Sequence, residues 1–269
     1  MKPDFPASRI LIVLVLALLF ASVSSSAQDW ARAKVEKSPR HQEWITLKHG
    51  DRSVQAYIAY PESKKKTPAI VIIHEIFGMT DWVQDMADQL AAAGYIAIAP
   101  DLLSGMGPNG GRTNSFETQT MVREAISKLP PDQVTADLNA AADYVKKLPA
   151  SNGKVSVTGF CWGGTQTFRY ATNRPDLSAA YVFYGTGPDD VTSIKAPVYG
   201  FYAGNDARVD ATIPKTEEAM KAAKKKYEPV TYEGAGHGFM RAGEDPEGTP
   251  ENKKAHDDAW KRWLELLKK

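Results

Sequence analysis

The chain has 269 residues, with 33 lysines and arginines against 32 aspartates and glutamates, and 43% of its residues are hydrophobic. A net charge of +1 lacks the basic excess of a nucleic-acid binder, and the residues after position 27 suit one domain with a full core. The single cysteine, Cys161, excludes a disulfide framework within the chain.

Residues 1–27 read as a targeting segment. Lys2 and Arg9 give a positive start, residues 10–20 are an unbroken apolar run, and Ser25-Ser26-Ala27 places small residues before a cut. The run is too short to cross a bilayer comfortably. Cleavage after Ala27 is therefore expected, giving a periplasmic or secreted product with no stable membrane insertion; an uncleaved anchor is the alternative. Without Lys2, Arg9 and Asp4 the remaining chain, residues 28–269, carries 31 basic and 31 acidic residues.

Residues 43–48 and 53–60 alternate apolar and polar side chains, which predicts an antiparallel pair turning at His49-Gly50-Asp51-Arg52. Continuous apolar runs follow at 69–73, 96–99, 154–158, 179–183 and 198–203, as expected of parallel strands covered on both faces, and a further strand falls at 228–232. Helical spacing is read at 81–93, 116–129, 132–148, 162–172, 212–226 and 251–268. Strands alternating with helices predict a single α/β domain: a mostly parallel, doubly wound sheet with helices on both faces and its site at the carboxyl ends of the strands.

The chemistry-bearing motif is Gly159-Phe160-Cys161-Trp162-Gly163-Gly164, set between the strand at 154–158 and the helix that follows. A nucleophile at a sharp strand-to-helix turn flanked by glycines is a nucleophile elbow, here with sulfur in place of the usual serine oxygen. The competing reading is a cysteine packed as a small hydrophobe. A nucleophilic cysteine needs a base and an orienting acid. His237, in the glycine-rich loop Gly234-Ala235-Gly236-His237-Gly238, is the candidate base, and Asp206 in Gly204-Asn205-Asp206 the candidate acid. Alone, Asp206 reads as a turn former. The order nucleophile, acid, histidine, each just past a strand, is the order of this fold. The amides of Trp162 and Ile76 are the candidate oxyanion donors. Glu75 sits at the same strand end as Ile76. His74 and Glu75 lack a second histidine at zinc-site spacing, and no dinucleotide or phosphate-loop glycine pattern occurs, so no metal and no cofactor is expected.

Taken together, His74-Glu75-Ile76-Phe77-Gly78, Pro100-Asp101-Leu102, Ser151-Asn152-Gly153-Lys154-Val155, the cysteine motif, Gly204-Asn205-Asp206 and Gly236-His237-Gly238-Phe239 resemble the dienelactone hydrolase family. The resemblance implies an α/β-hydrolase fold and a Cys161–Asp206–His237 triad. It also implies that Glu75 interacts with the thiol and takes its proton once substrate moves it. Two arginines holding a substrate carboxylate are implied as well. Arg241 matches one of them. The other position is Gly105, which leaves Arg112 in the loop beyond it, or Arg208, as substitutes. The glycine-rich loop 104–111 is a candidate gate.

The chain is therefore expected to be a monomeric carboxylic-ester hydrolase of small esters or lactones, forming a thioester on Cys161. A thioesterase or acyltransferase using the same site, and a non-catalytic ligand-binding or redox-responsive thiol protein, stay open as alternatives.

Overall fold

The computed structural model describes residues 28–269; the expected targeting segment, 1–27, lies outside them. The elements run α1 (Asp29–Lys37), β1 (Gln42–His49), β2 (Arg52–Ala59), β3 (Thr67–Ile73), α2 (Asp81–Ala92), β4 (Ile96–Pro100), α3 (Gln119–Ser127), α4 (Pro131–Lys147), β5 (Ser151–Phe160), α5 (Trp162–Asn173), β6 (Ala180–Phe183), β7 (Val198–Ala203), α6 (Ala207–Asp210), α7 (Ile213–Ala222), β8 (Tyr227–Tyr232), α8 (Phe239–Glu244) and α9 (Pro250–Leu267). The eight strands among the described residues form one sheet in the order β1-β2-β4-β3-β5-β6-β7-β8.

β1 and β2 pair antiparallel from Gln42↔Ala59 to His49↔Arg52, so the turn is the two residues Gly50-Asp51, with Gly50 at φ +50°. β2 runs antiparallel to β4, and every later pairing is parallel. The inner strands β3, β4, β6 and β7 are apolar along nearly their whole length because both faces are covered. One core, with Val71, Ile98, Val157, Leu138 and Phe168, packs α4 and α5 on one face. The other, with Ile72, Trp82, Phe160, Phe201 and Trp263, packs α2 and α9 on the opposite face.

The helix expected over 116–129 is shorter. Thr118 accepts a hydrogen bond from the Met121 amide at 3.2 Å and so caps α3 two residues later, while residues 113–115 form a tight turn before it. α1, α6 and α8 carry no usable periodicity in sequence. α1 is fixed by tertiary contacts instead: Lys34 bridges Asp85 at 3.3 Å and Glu244 at 2.8 Å, and Arg32 pairs with Asp81. No helix among the described residues is long and apolar enough to cross a membrane.

Candidate active site

β5 ends at Phe160, and Cys161 turns the chain into α5 with φ +58° and ψ −118°. A side chain at that angle is strained, and the surroundings hold it there. A Cβ on Gly163 would sit 2.3 Å from the Ile73 carbonyl oxygen, and one on Gly159 would sit 2.2 Å from that of Gly163. The motif's glycines thus let α5 lie directly on the ends of β3 and β5. The Cys161 amide donates to Phe183 O at 3.1 Å, which ties the turn to β6.

Asp206 follows β7. Gly204 N donates to Tyr232 O at 2.9 Å and Asn205 N to Ala235 O at 2.9 Å, so the loops after β7 and β8 are laced together. That lacing sets His237 Nδ1 2.5 Å from Asp206 Oδ2. The other carboxylate oxygen of Asp206 caps α6 at Val209 N, 3.4 Å. Asp206 is therefore both a turn former and the partner of His237. The imidazole is lifted to about 9, first by the Cys161 sulfur as hydrogen-bond partner and then, against partial burial, by Asp206.

Glu75 is buried beside this group at the end of β3. Its Oε2 accepts from Arg241 Nε at 2.7 Å. Burial raises the Glu75 carboxyl above the usual carboxylate range, while Arg241 and then His237 oppose that rise. The glutamate thus engages the guanidinium, not the thiol. His74, fully buried, is a structural neighbour: Nδ1 is 2.8 Å from Glu75 O, Nε2 accepts from the Leu102 amide at 3.4 Å, and the ring stacks on Trp162 at 5.7 Å. The amides of Ile76 and Trp162 are spent on no acceptor among the described residues, so both are available to an oxyanion.

The arginines divide. Arg241 reaches the site from α8. Arg112 does not: its guanidinium lies 3.6 Å from the Trp44 ring centre and 3.8 Å from Asp101, and it lines an open cavity of about 890 Å³ with His49, Arg52 and Gly105 that includes none of Cys161, Asp206 and His237. Gly105, at φ +75°, faces open space. Loop 104–111 folds back on itself through Gly107 N to Gly111 O at 3.1 Å. Arg208 lies in α6 and is exposed.

Two residues at the site were given no role from sequence, Phe77 having entered only as part of a motif. Phe77 follows Ile76, and the guanidinium carbons of Arg241 and of Arg123 on α3 each lie 5.2 Å from its ring centre. Tyr184, just past β6, packs edge-on against His237 at 5.1 Å.

A β1-β2-β4-β3-β5-β6-β7-β8 sheet with a strained cysteine turn after β5 and an Asp–His pair after β7 and β8 has the α/β-hydrolase fold. Within that class the chain belongs to the dienelactone hydrolase family, whose model matches residues 54–269. It is 37% identical over 203 residues to a protein of Methylorubrum extorquens, covering 70% of this chain and 69% of the other. It is 33% identical over 232 residues to one of Escherichia coli K12, covering 80% and 82%. Both are named "Putative carboxymethylenebutenolidase". A solved structure from Klebsiella pneumoniae, named "Putative Dienelactone Hydrolase", superposes with a TM-score of 0.75 at 28% identity and covers 86% of this chain and 99% of its own. The family is one of hydrolases.

Proposed function

We propose that this protein cleaves small carboxylic esters or lactones through a Cys161–His237–Asp206 triad. The observation that carries the reading is the contact of His237 Nδ1 with Asp206 Oδ2 at 2.5 Å, with Cys161 at the strained elbow acting as the largest influence that raises the same imidazole. In this reading Glu75 leaves Arg241 on substrate binding and takes the Cys161 thiol proton. The thiolate attacks the ester carbonyl, and the Ile76 and Trp162 amides hold the oxyanion. Protonated His237 gives its proton to the leaving alkoxide as the C–O bond breaks, which leaves a thioester. Neutral His237 then draws a proton from water, the hydroxide opens the thioester to the free acid, and Glu75 returns the proton to sulfur. Asp206 keeps the imidazole in one tautomer throughout. The cycle draws on this chain's own groups.

The substrate side follows from the arginines. Arg241 is a cation within reach of a substrate carboxylate, and it is already shared with Glu75. Gly105 contributes no side chain, so a second guanidinium would have to come from elsewhere, and that of Arg123 flanks the same Phe77 ring as Arg241 does, each at 5.2 Å. We read residues 1–27 as an export signal and the mature enzyme as a monomer in the periplasm or outside the cell. The test is turnover by the mature protein of short p-nitrophenyl esters and of small lactones, one of them a carboxylate-bearing dienelactone. Hydrolysis of at least one class supports the reading. No hydrolysis of any by folded protein contradicts it.

A further inference from the structure

Tyr184 is strained and buried in the same place. Its φ is +39°, although it carries a bulky side chain. It stands one position past Phe183, which pairs in register with Phe160, so it lies beside Cys161 on the neighbouring strand. The residue is fully buried, and its hydroxyl has no hydrogen-bond partner among the described residues. The Met240 amide of α8 faces the phenol oxygen without completing a bond. The ring is walled by His237 at 5.1 Å and Phe239 at 5.3 Å. The charged or titratable groups that face it are Glu75 from the β3 end, Cys161 from the β5 end, and His237 and Arg241 from the loop and helix after β8. Burial, with Glu75 next, pushes the phenol well above its ordinary range, so it keeps its proton and acts as a donor.

A buried hydroxyl without a partner, held by a strained backbone, calls for an acceptor that arrives later in the cycle. Glu75 is that acceptor. Among the described residues it has one side-chain hydrogen bond, from Arg241 Nε to Oε2. Drawing Arg241 toward a substrate carboxylate would leave a bare buried charge. We propose that Tyr184 is a positioning residue whose hydroxyl receives the Glu75 carboxylate when an anionic substrate group draws Arg241 away. The hydrogen bond keeps Glu75 ionised and close to Cys161, ready for the thiol proton. No bond is made or broken at Tyr184 itself. The inference rests on the reading of Cys161 as the reactive thiol, and it makes Tyr184 matter for anionic partners and not for neutral ones.

Two alkylating probes separate these cases: iodoacetate, which carries a carboxylate, and iodoacetamide, which does not. Rates of Cys161 alkylation are measured between pH 5 and 9 for the mature protein and for Tyr184→Phe, which keeps the ring. The expected result is a loss of about tenfold or more with iodoacetate, worth one hydrogen bond to a charged group, and little change with iodoacetamide. The acid limb for iodoacetate moves to higher pH, because Glu75 protonates more readily without its donor. The variant melts at the same temperature as the wild type or higher, since it loses an unsatisfied buried hydroxyl. Equal losses with both probes, no loss with either, or marked destabilisation of the variant would overturn the proposal. Absence of ester turnover alongside a selective iodoacetate effect would sink the esterase reading and leave this one standing. A thiol inert to both probes would sink both.

Discussion

Arg241 Nε donates to Glu75 Oε2 at 2.7 Å, and this ion pair, one partner buried and the other partly exposed, sits beside the candidate nucleophile. Breaking it from the cationic side leaves the carboxylate alone. Arg241→Met should cost about 2–4 kcal/mol at pH 7.5, somewhat under the range of about 3–5 kcal/mol for stranding one member of a fully buried pair because Arg241 is partly exposed. Burial already raises the Glu75 carboxyl, and loss of Arg241 raises it further. A carboxyl raised in the folded state contributes stability below its unfolded value and loses it as pH climbs through the folded one. The variant's deficit should therefore shrink between pH 7.5 and pH 5. Urea denaturation at the two values checks this; an equal deficit at both would contradict it.

With its imidazole lifted to about 9 by Cys161 and Asp206, His237 is expected to set the alkaline side of the activity profile if it acts as proposed. The leaving alkoxide needs the protonated imidazole, so kcat/KM should fall as pH rises through about 9. Asp206→Asn removes one of the raising influences. Its alkaline limb should move to lower pH, and its rate at the optimum should drop by about a hundredfold or more. A limb that stays in place would contradict the assignment of that titration to His237.

The elbow tolerates no side chain at Gly163. An alanine Cβ there would meet the Ile73 and His74 carbonyl oxygens at 2.3 and 2.4 Å, both of them backbone atoms unable to move aside alone. Gly163→Ala should destabilise the protein by about 3 kcal/mol or more, or prevent folding. Thermal unfolding measures this. A variant with unchanged melting temperature would mean that β3 and α5 do not pack as closely as described.

How much of this was legible in sequence follows from the physics of each part. The strand pattern was readable because the sheet is covered on both faces, which forces apolar runs such as 69–73 and 198–203. The elbow and the loops of Asp206 and His237 were readable because close backbone approach leaves its mark as glycine. α1 was not, since its apolar contact is confined to Trp30, Ala31 and Val35 and its charge pairs from Lys34 and Arg32 go to acids distant in the chain. The position of Arg112 was not, because stacking on Trp44 depends on how β1 and loop 104–114 meet. Tyr184 was not, because its run of neighbours reads as ordinary core and only the fold brings its hydroxyl to Glu75 and Cys161.

The base of α1 carries a second electrostatic device. Lys34 bridges Asp85 and Glu244, and Gln89 Nε2 donates to both carboxylates, at 3.0 and 2.7 Å. Burial and then the Glu244 charge raise Asp85 to about 7, while His256, Lys34 and Trp82 hold Glu244, itself buried, at about 2. A carboxyl raised in the folded state disfavours folding once it ionises. The Asp85 contribution is thus fully present below its unfolded value near about 3.9 and is lost as pH rises through about 7. Asp85→Asn should flatten that part of the stability curve between pH 5 and pH 8. Melting temperatures across the interval test it; parallel curves for the two proteins would contradict the coupling.

The most direct test of the account is the fate of the acyl group. The mature protein and its Cys161→Ala variant are incubated with a p-nitrophenyl ester, with release of p-nitrophenolate followed and intact mass recorded after acid quench. The expected result is turnover in the wild type with an acyl adduct mapping to Cys161, and a loss of about a thousandfold or more in the variant, which should carry no adduct. Turnover that survives in Cys161→Ala, or an adduct on any other residue, would contradict it.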